Sequence, residues 1–274
     1  MKAECFAAVA VALAAAPLAA VTVGPDWCVA YPDDQKQEVN RVLKIAAEEV
    51  AGDINEATGL KLKAVPASKA VPVKANVSFE PGAWSSNDWT IVKGPRWKYI
   101  HGFVQKEDCI ENECPPLSGE EIFKKHNSAV YSAMVLNKKA VSGQTVSSVM
   151  GFDWRMAPLI VISEKLERTP AGEPVFGEHW EIVLYDEGLN VWHHFMRNGK
   201  PAWYKAAYLK VPFEKNTRYN LEVKVAKTPR GVKEMTVKCG GYELGYVDND
   251  LPDKFYAGII GCEGRNMFYD FKIK

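Results

Sequence analysis

The chain has 274 residues, 47% of them hydrophobic, enough to build one large β-domain or one domain with an appendage. Its 34 Lys and Arg balance 34 Asp and Glu, so the formal net charge is zero. That excludes the basic field by which nucleic acids and anionic lipids are gathered, and it suits a neutral partner such as a glycan or polysaccharide.

At the N-terminus Lys2 precedes Phe6 to Ala20, an unbroken run dominated by Ala, Val and Leu. The run is too short to span a bilayer and ends in small residues, the pattern of a secretory signal peptide cleaved near Ala20. It predicts removal of residues 1–20 and a protein that is secreted, periplasmic or at the cell surface, with no membrane span; the alternative is a buried N-terminal helix. Five cysteines would remain. Cys109 and Cys114 are placed to close a small loop, Cys239 and Cys262 lie in strand-like runs that a disulfide could bridge, and Cys28 is left over; the alternative is five reduced thiols.

A short strand at Trp27 to Tyr31 leads into one long helix. Asp33 or Asp34 caps it, Val39, Val42, Leu43, Ala46, Val50, Ile54 and Ala57 form an apolar stripe at three-four spacing, and Gly59 ends it. Ala64 to Ala75 is rich in Pro and Ala and reads as a linker. These marks divide the chain into a leader (1–20), a strand–helix segment with linker (21–74) and a β-domain (75–274). From residue 76 the hydrophobic period is two. Strands are predicted at Asn76–Phe79, Asp88–Val92, Trp97–Gln105, Ser128–Leu136, Ser147–Trp154, Leu159–Glu164, Trp180–Tyr185, Tyr219–Ala226, Lys233–Cys239, Tyr242–Val247, Phe255–Cys262 and Met267–Ile273. An insertion between the third and fourth carries a short helix capped by Ser118 and Glu121.

Leu189 to Leu209 reads as a β-hairpin turning at Asn198-Gly199, the pair that a type I′ turn favours. In that register Arg197 faces Lys200, Phe195 faces Ala202, His194 faces Trp203 and Trp192 faces Lys205. One face then carries Asn190, Trp192, His194, Trp203 and Lys205, aromatic and hydrogen-bonding together. The other carries Leu189, Val191, His193, Phe195, Ala202, Tyr204, Ala206 and Tyr208 and reads as core.

Two resemblances follow from quoted stretches. EHWEIVLYDEGLNVWHHF, the hairpin, NTRYNLEVKV and FYAGIIGCEGRNMFYDFKIK resemble the closing half of a concanavalin A-like lectin/glucanase jelly roll of the laminin G type. This implies a mainly β, two-sheet antiparallel sandwich over 75–274, with a concave sheet that binds carbohydrate in many relatives. AAEEVAGDINEATGLKL resembles part of the small noncatalytic α/β domain of α-glucuronidases and hexosaminidases.

The carboxylate strand E-x-D-x-E of the laminarinase-like members is absent. Glu181 is followed on its face by Val183 and Tyr185, while Asp186 points away. A polysaccharide lyase would draw on Tyr204, Tyr208 and His101, for which the resemblance is faint. Asp248, Asn249, Asp250 and Asp253 form an oxygen-rich run that would suit calcium or an ordinary turn; no other cofactor is expected. Trp154-Arg155 is placed to reach the concave face from a strand end. The reading is a noncatalytic glycan-binding module using Asn190, Trp192, His194, Trp203, Lys205 and Arg155. A glycoside hydrolase or lyase is the alternative, and a cell-surface protein-interaction domain a further one.

Overall fold

The structure, a computed structural model, describes residues 29–31, 37–59, 63–66, 73–126 and 130–274. The leader, Cys28 and the Asp33/Asp34 cap lie outside them. The chain divides into two compact units, Met1–Val71 and Pro72–Lys274.

In the first unit β1 (Val29–Tyr31), α1 (Gln37–Thr58) and β2 (Ala64–Pro66) form a β-α-β element, and the two strands pair in parallel. Parallel strands need a crossover, which the helix supplies. The stripe of α1 centres on buried Ala47 and Ala51, one position round from the predicted line, and Ala57 is exposed. Gly59 ends the helix at φ 72°, its amide donating to the Asn55 carbonyl at 2.8 Å. The stretch read as a linker therefore begins with a strand: β2 uses its Ala-Val-Pro to pair with β1.

The second unit comprises β3 (Ala75–Ser78), β4 (Trp89–Ile91), β5 (Phe103–Gln105), β6 (Ile110–Asn112), α2 (Gly119–His126), β7 (Ser132–Val141), β8 (Thr145–Phe152), β9 (Pro158–Ser163), β10 (Leu166–Arg168), β11 (Pro174–Phe176), β12 (His179–Tyr185), β13 (Gly188–Arg197), β14 (Lys200–Lys210), β15 (Tyr219–Lys227), β16 (Lys233–Cys239), β17 (Tyr242–Val247), β18 (Lys254–Gly261), β19 (Asn266–Phe268) and β20 (Asp270–Ile273). Seven strands make one antiparallel sheet in the order β14-β13-β12-β9-β18-β7-β4. The other sheet runs β17-β16-β15-β8-β19-β6-β5, with β20 joining β8 to β3. Between them Ile160, Ile162, Trp180, Ile182, Leu184 and Val191 of the first sheet pack on Val146, Phe152, Leu221, Val223 and Val225 of the second. The protein is thus the mainly β, two-sheet antiparallel sandwich with one long helix that its sequence implied.

The seven-stranded sheet is also covered on its outer face. Leu159, Val161, Val183, Ala133, Val135, Ile260 and Cys262 form a second cluster there, capped by Val92 and Phe176 with Trp97 and Tyr131. Burial on both faces is why all six residues of β9 are buried and why it reads as an unbroken apolar run. It also explains a departure from the predicted strand at Trp97–Gln105. Only Phe103–Gln105 pairs as a strand, whereas Trp97 and Ile100 are drawn onto the outer cluster and Trp97 stacks on Tyr131 at 4.7 Å. The capping box of α2 is as expected: Glu121 accepts from the Ser118 hydroxyl at 2.8 Å.

Cys109, Cys114, Cys239 and Cys262 are all free thiols, against the two bridges considered. Cys239 belongs to the inter-sheet core and Cys262 to the outer cluster, on opposite faces of the seven-stranded sheet. Among the described residues no helix is long and apolar enough to cross a membrane.

Candidate functional site

The β13–β14 hairpin turns at Asn198 (φ 51°) and Gly199 (φ 73°), and its pairing from Arg197↔Lys200 to Trp192↔Lys205 is the predicted one. Beyond Trp192 the register shifts. Val191 pairs with Ala207 and Asn190 with Tyr208, so Ala206 is the extra residue of a bulge. Tyr208, predicted on the core face, is carried to the other side and is 67% exposed. Tyr204, also predicted as core, is exposed because the sheet edge here is covered only in part.

The pairing of β12 with β13 and β9 extends these rows across the sheet. One row runs Trp203, His194, His179, Ser163; the next Lys205, Trp192, Glu181, Val161; the third Tyr208, Asn190, Val183, Leu159. Opposed residues share a face, and Val161, Val183 and Leu159 identify it as the outer one. Neither predicted tryptophan is between the sheets. Trp203 is 45% exposed, with the Arg96 guanidinium 3.5 Å from its ring centroid. Trp192 is partly buried against the outer cluster, and Lys205 Nζ lies 5.2 Å from its ring and 5.7 Å from that of Tyr208.

The remaining predicted residues are less available. Asn190 is buried, at 4% exposure. His194 is buried too, with Nε2 3.3 Å from Glu181 Oε2. Arg155 holds the β12–β13 turn, Nε 3.3 Å from Asp186 Oδ2 and Nη2 3.8 Å from Glu187 Oε1, so its charge is engaged away from the tryptophans.

The floor of the site is a group the hairpin alone did not reveal. His179 Nε2 lies 3.5 Å from Glu181 Oε1, its Nδ1 is 2.7 Å from the Gly177 carbonyl oxygen, and its ring stacks on His194 at 4.6 Å. Burial pushes the Glu181 carboxyl up, but the charge of His194 and hydrogen bonds from His179 and His194 outweigh it, holding the group well below the usual carboxylate range. Nearby Glu263, whose Oε1 is 3.5 Å from the Tyr131 hydroxyl, is raised by burial and then by the Glu181 charge. His179, Glu181 and His194 are also the described residues whose donor atoms stand close enough to share a metal ion, all within 4.8 Å of one another. The legible signal was His179-x-Glu181, two positions apart on one strand, opposite the His194 that the next strand returns.

A second polar chain lies on the inner side of the same hairpin. His193 links Glu178 Oε1 (Nε2, 2.7 Å) to the Tyr204 hydroxyl (Nδ1, 3.1 Å) and stacks on Trp180 at 4.3 Å. Tyr204 meets the Tyr246 hydroxyl, which donates to Asp248. The Asp248–Asp253 run considered for calcium is occupied in this way: Asp248 also accepts the Asp250 amide, and Asp253 faces Lys227 and Lys233 at 3.6 and 3.3 Å. His101, considered for a lyase, bridges to Ser132 of β7, five strand positions from the tyrosines of β14. That is about 24 Å at ordinary strand spacing, too far for one reacting centre.

No protein-family model matches the sequence, and no curated protein matches it. Among solved structures, β-agarase A from Zobellia galactanivorans superposes with a TM-score of 0.50 at 8% identity, over 73% of this chain and 89% of that one. The fold is that of the concanavalin A-like lectins and glucanases. Two other structures with this concanavalin A-like fold are also similar. The carbohydrate-binding module CBM66 from Bacillus subtilis has a TM-score of 0.45 and 12% identity, over 67% of this chain and 93% of that one. A legume lectin-like domain from Entamoeba histolytica has a TM-score of 0.45 and 12% identity, over 72% and 96%.

Proposed function

We propose that this is an exported, noncatalytic glycan-binding protein that takes a neutral oligosaccharide or polysaccharide on the outer face of the seven-stranded sheet. The observation that carries the reading is Trp203, a half-exposed indole beside a polar floor and under a planar guanidinium. Pyranose rings present C–H faces that pack on indoles, while their hydroxyls need directional partners. Arg96, Lys205 and the edge of His194 supply donors within the same few strands. The names of the structures sharing the fold, an agarase, a carbohydrate-binding module and a lectin-like domain, set the ligand class to test first. A glycan array followed by calorimetry on the hits is the test. Trp203→Ala should weaken binding by about tenfold or more, roughly 1.4 kcal/mol, with the thermal midpoint unchanged because the side chain is exposed. Equal affinity in the variant, or an array with no hits, overturns the reading; an empty array would favour a protein-interaction domain.

A second reading, cleavage of the glycan, is favoured by the two interacting carboxyls, Glu181 and Glu263, with the Tyr131 hydroxyl at 3.5 Å from the latter. Release of reducing ends or unsaturated uronates by the wild type, abolished in Glu263→Gln, would replace the binding reading with this one.

A further inference from the structure

We propose that His179, Glu181 and His194 form a binding site for a divalent transition-metal ion of the zinc class on the outer face of the seven-stranded sheet. The site is independent of whether a glycan binds there.

The donors are fixed by sheet geometry. The two-residue period of β12 puts His179 and Glu181 on one face, and the antiparallel register of β13 sets His194 directly opposite His179. Their side chains are 1%, 15% and 9% exposed, so three ionisable groups are held together in a nearly closed space on two central strands. Burial of such groups is costly unless they are paired or coordinate a cation.

The spacing fits a metal. With bonds of about 2.0–2.1 Å and tetrahedral angles, neighbouring ligand atoms stand about 3.3–3.4 Å apart. His179 Nε2 stands 3.5 Å from Glu181 Oε1 and His194 Nε2 3.3 Å from the other oxygen, Oε2, and one ligand atom from each residue can be chosen with all three within 4.8 Å of one another. Binding through a single carboxylate oxygen would close the longer edges from at most 4.8 Å, between rings whose planes lie 15° apart.

Orientation points the same way. The Gly177 carbonyl can only accept, so the 2.7 Å contact makes His179 Nδ1 the donor. Nε2 then faces the Glu181 carboxylate with a lone pair unless something positive stands between them. A proton on that nitrogen would meet the His179–Glu181 edge, with His194 donating its own Nε2–H to the other oxygen, whereas a metal ion would take a lone pair from each ring. Donation from the far ring nitrogen to a backbone carbonyl is how metal-bound histidines are commonly held. Two imidazoles and a carboxylate suit zinc, cobalt, nickel or copper rather than calcium or magnesium, which take all-oxygen shells. Trp192 lies beside Glu181 and Trp203 beside His194 in the pairing of the strands.

The test uses the full chain stripped with a chelator, then titrated with Co2+ and Zn2+ by visible absorption and calorimetry. The proposal expects one ion per chain, Co2+ d–d bands of a low-coordinate site, and a higher thermal midpoint with Zn2+. Glu181→Gln and His194→Gln should each weaken Zn2+ binding by about 100-fold or more, with circular dichroism confirming that they fold. If either fails to fold, wild-type NMR decides: Zn2+ should shift the ring resonances of His179 and His194 and leave those of His193 and His101. Absence of stoichiometric uptake by the stripped wild type, the behaviour of a proton-held His–Glu cluster, overturns the proposal. So does unchanged affinity in the folded variants, or a shift of the wrong histidines.

Discussion

Gly258 of β18 stands between Val135 and Val161, and a Cβ built on it would lie 2.0 Å from the Met134 carbonyl oxygen and 2.6 Å from the Val135 α-carbon. Both are backbone atoms of the adjoining strand and cannot rotate away. Gly258→Ala should therefore destabilise the sandwich by about 3 kcal/mol, the upper end of ordinary overpacking, read as a fall in urea midpoint. An unchanged midpoint would mean that β7 and β18 are not in this register. The cysteines are explained by burial. It raises the Cys109 thiol to about 11 and those of Cys114 and Cys239 to about 12. A raised thiol value means less thiolate at any fixed pH, and thiolate is the reactive form. Alkylation at Cys109, Cys114 and Cys239 of the native protein, read by peptide mapping, should thus be slow at about pH 8 and accelerate as pH rises toward these values, while in the urea-unfolded chain these thiols react at once. A non-reduced peptide map showing a Cys109–Cys114 or Cys239–Cys262 bridge would contradict the free thiols.

The β13–β14 hairpin shows how far an element can be read from its letters. Gly199 has φ 73° and nothing within 4 Å of a built Cβ, so Gly199→Ala meets only the backbone cost of the left-handed region. Loss of about 1 kcal/mol is expected, measured by thermal or urea unfolding, and a loss several times larger would show that the turn makes contacts not seen here. The tip was legible because Asn-Gly specifies one turn and the turn specifies the register. The base was not. Ala206-Ala207 offers two small residues, and nothing in the letters says that one of them bulges, yet that bulge decides which face Tyr208 occupies. The candidate site divides likewise. Trp192, His194, Trp203 and Lys205 were legible as one face because a single hairpin brings them together. Glu181 and His179 gain their meaning only when β12 is laid beside β13, and Arg96 only when the 93–100 segment is drawn over the sheet. The alternation over Trp97–Gln105 reads as a strand, but the outer face needs cover, and Trp97 and Ile100 provide it.

At the scale of the molecule, the sandwich is organised by a sheet buried on both sides. The inter-sheet core fixes the strands, and the outer cluster recruits loops that wall in the polar floor at the β12–β14 end. Every apolar residue assigned to either cluster falls at Ala75 or later, so among the described residues the second unit carries its own core. Its first contacts are Val73, whose carbonyl accepts from Gln144 Nε2 at 2.6 Å, and β3, which pairs with β20 from Ala75↔Ile273 to Ser78↔Asp270. A chain beginning at Pro72 should therefore keep the full-length unfolding midpoint of the β-signal in circular dichroism. A chain beginning at Phe79 removes β3 and leaves β20 with an open edge, and its midpoint should fall. If the Pro72 chain does not fold, the sandwich depends on the residues before it and the second unit is not self-supporting. If both chains unfold at the same midpoint, β3 is an ornament on the sheet and the pairing that closes its end contributes nothing to holding it.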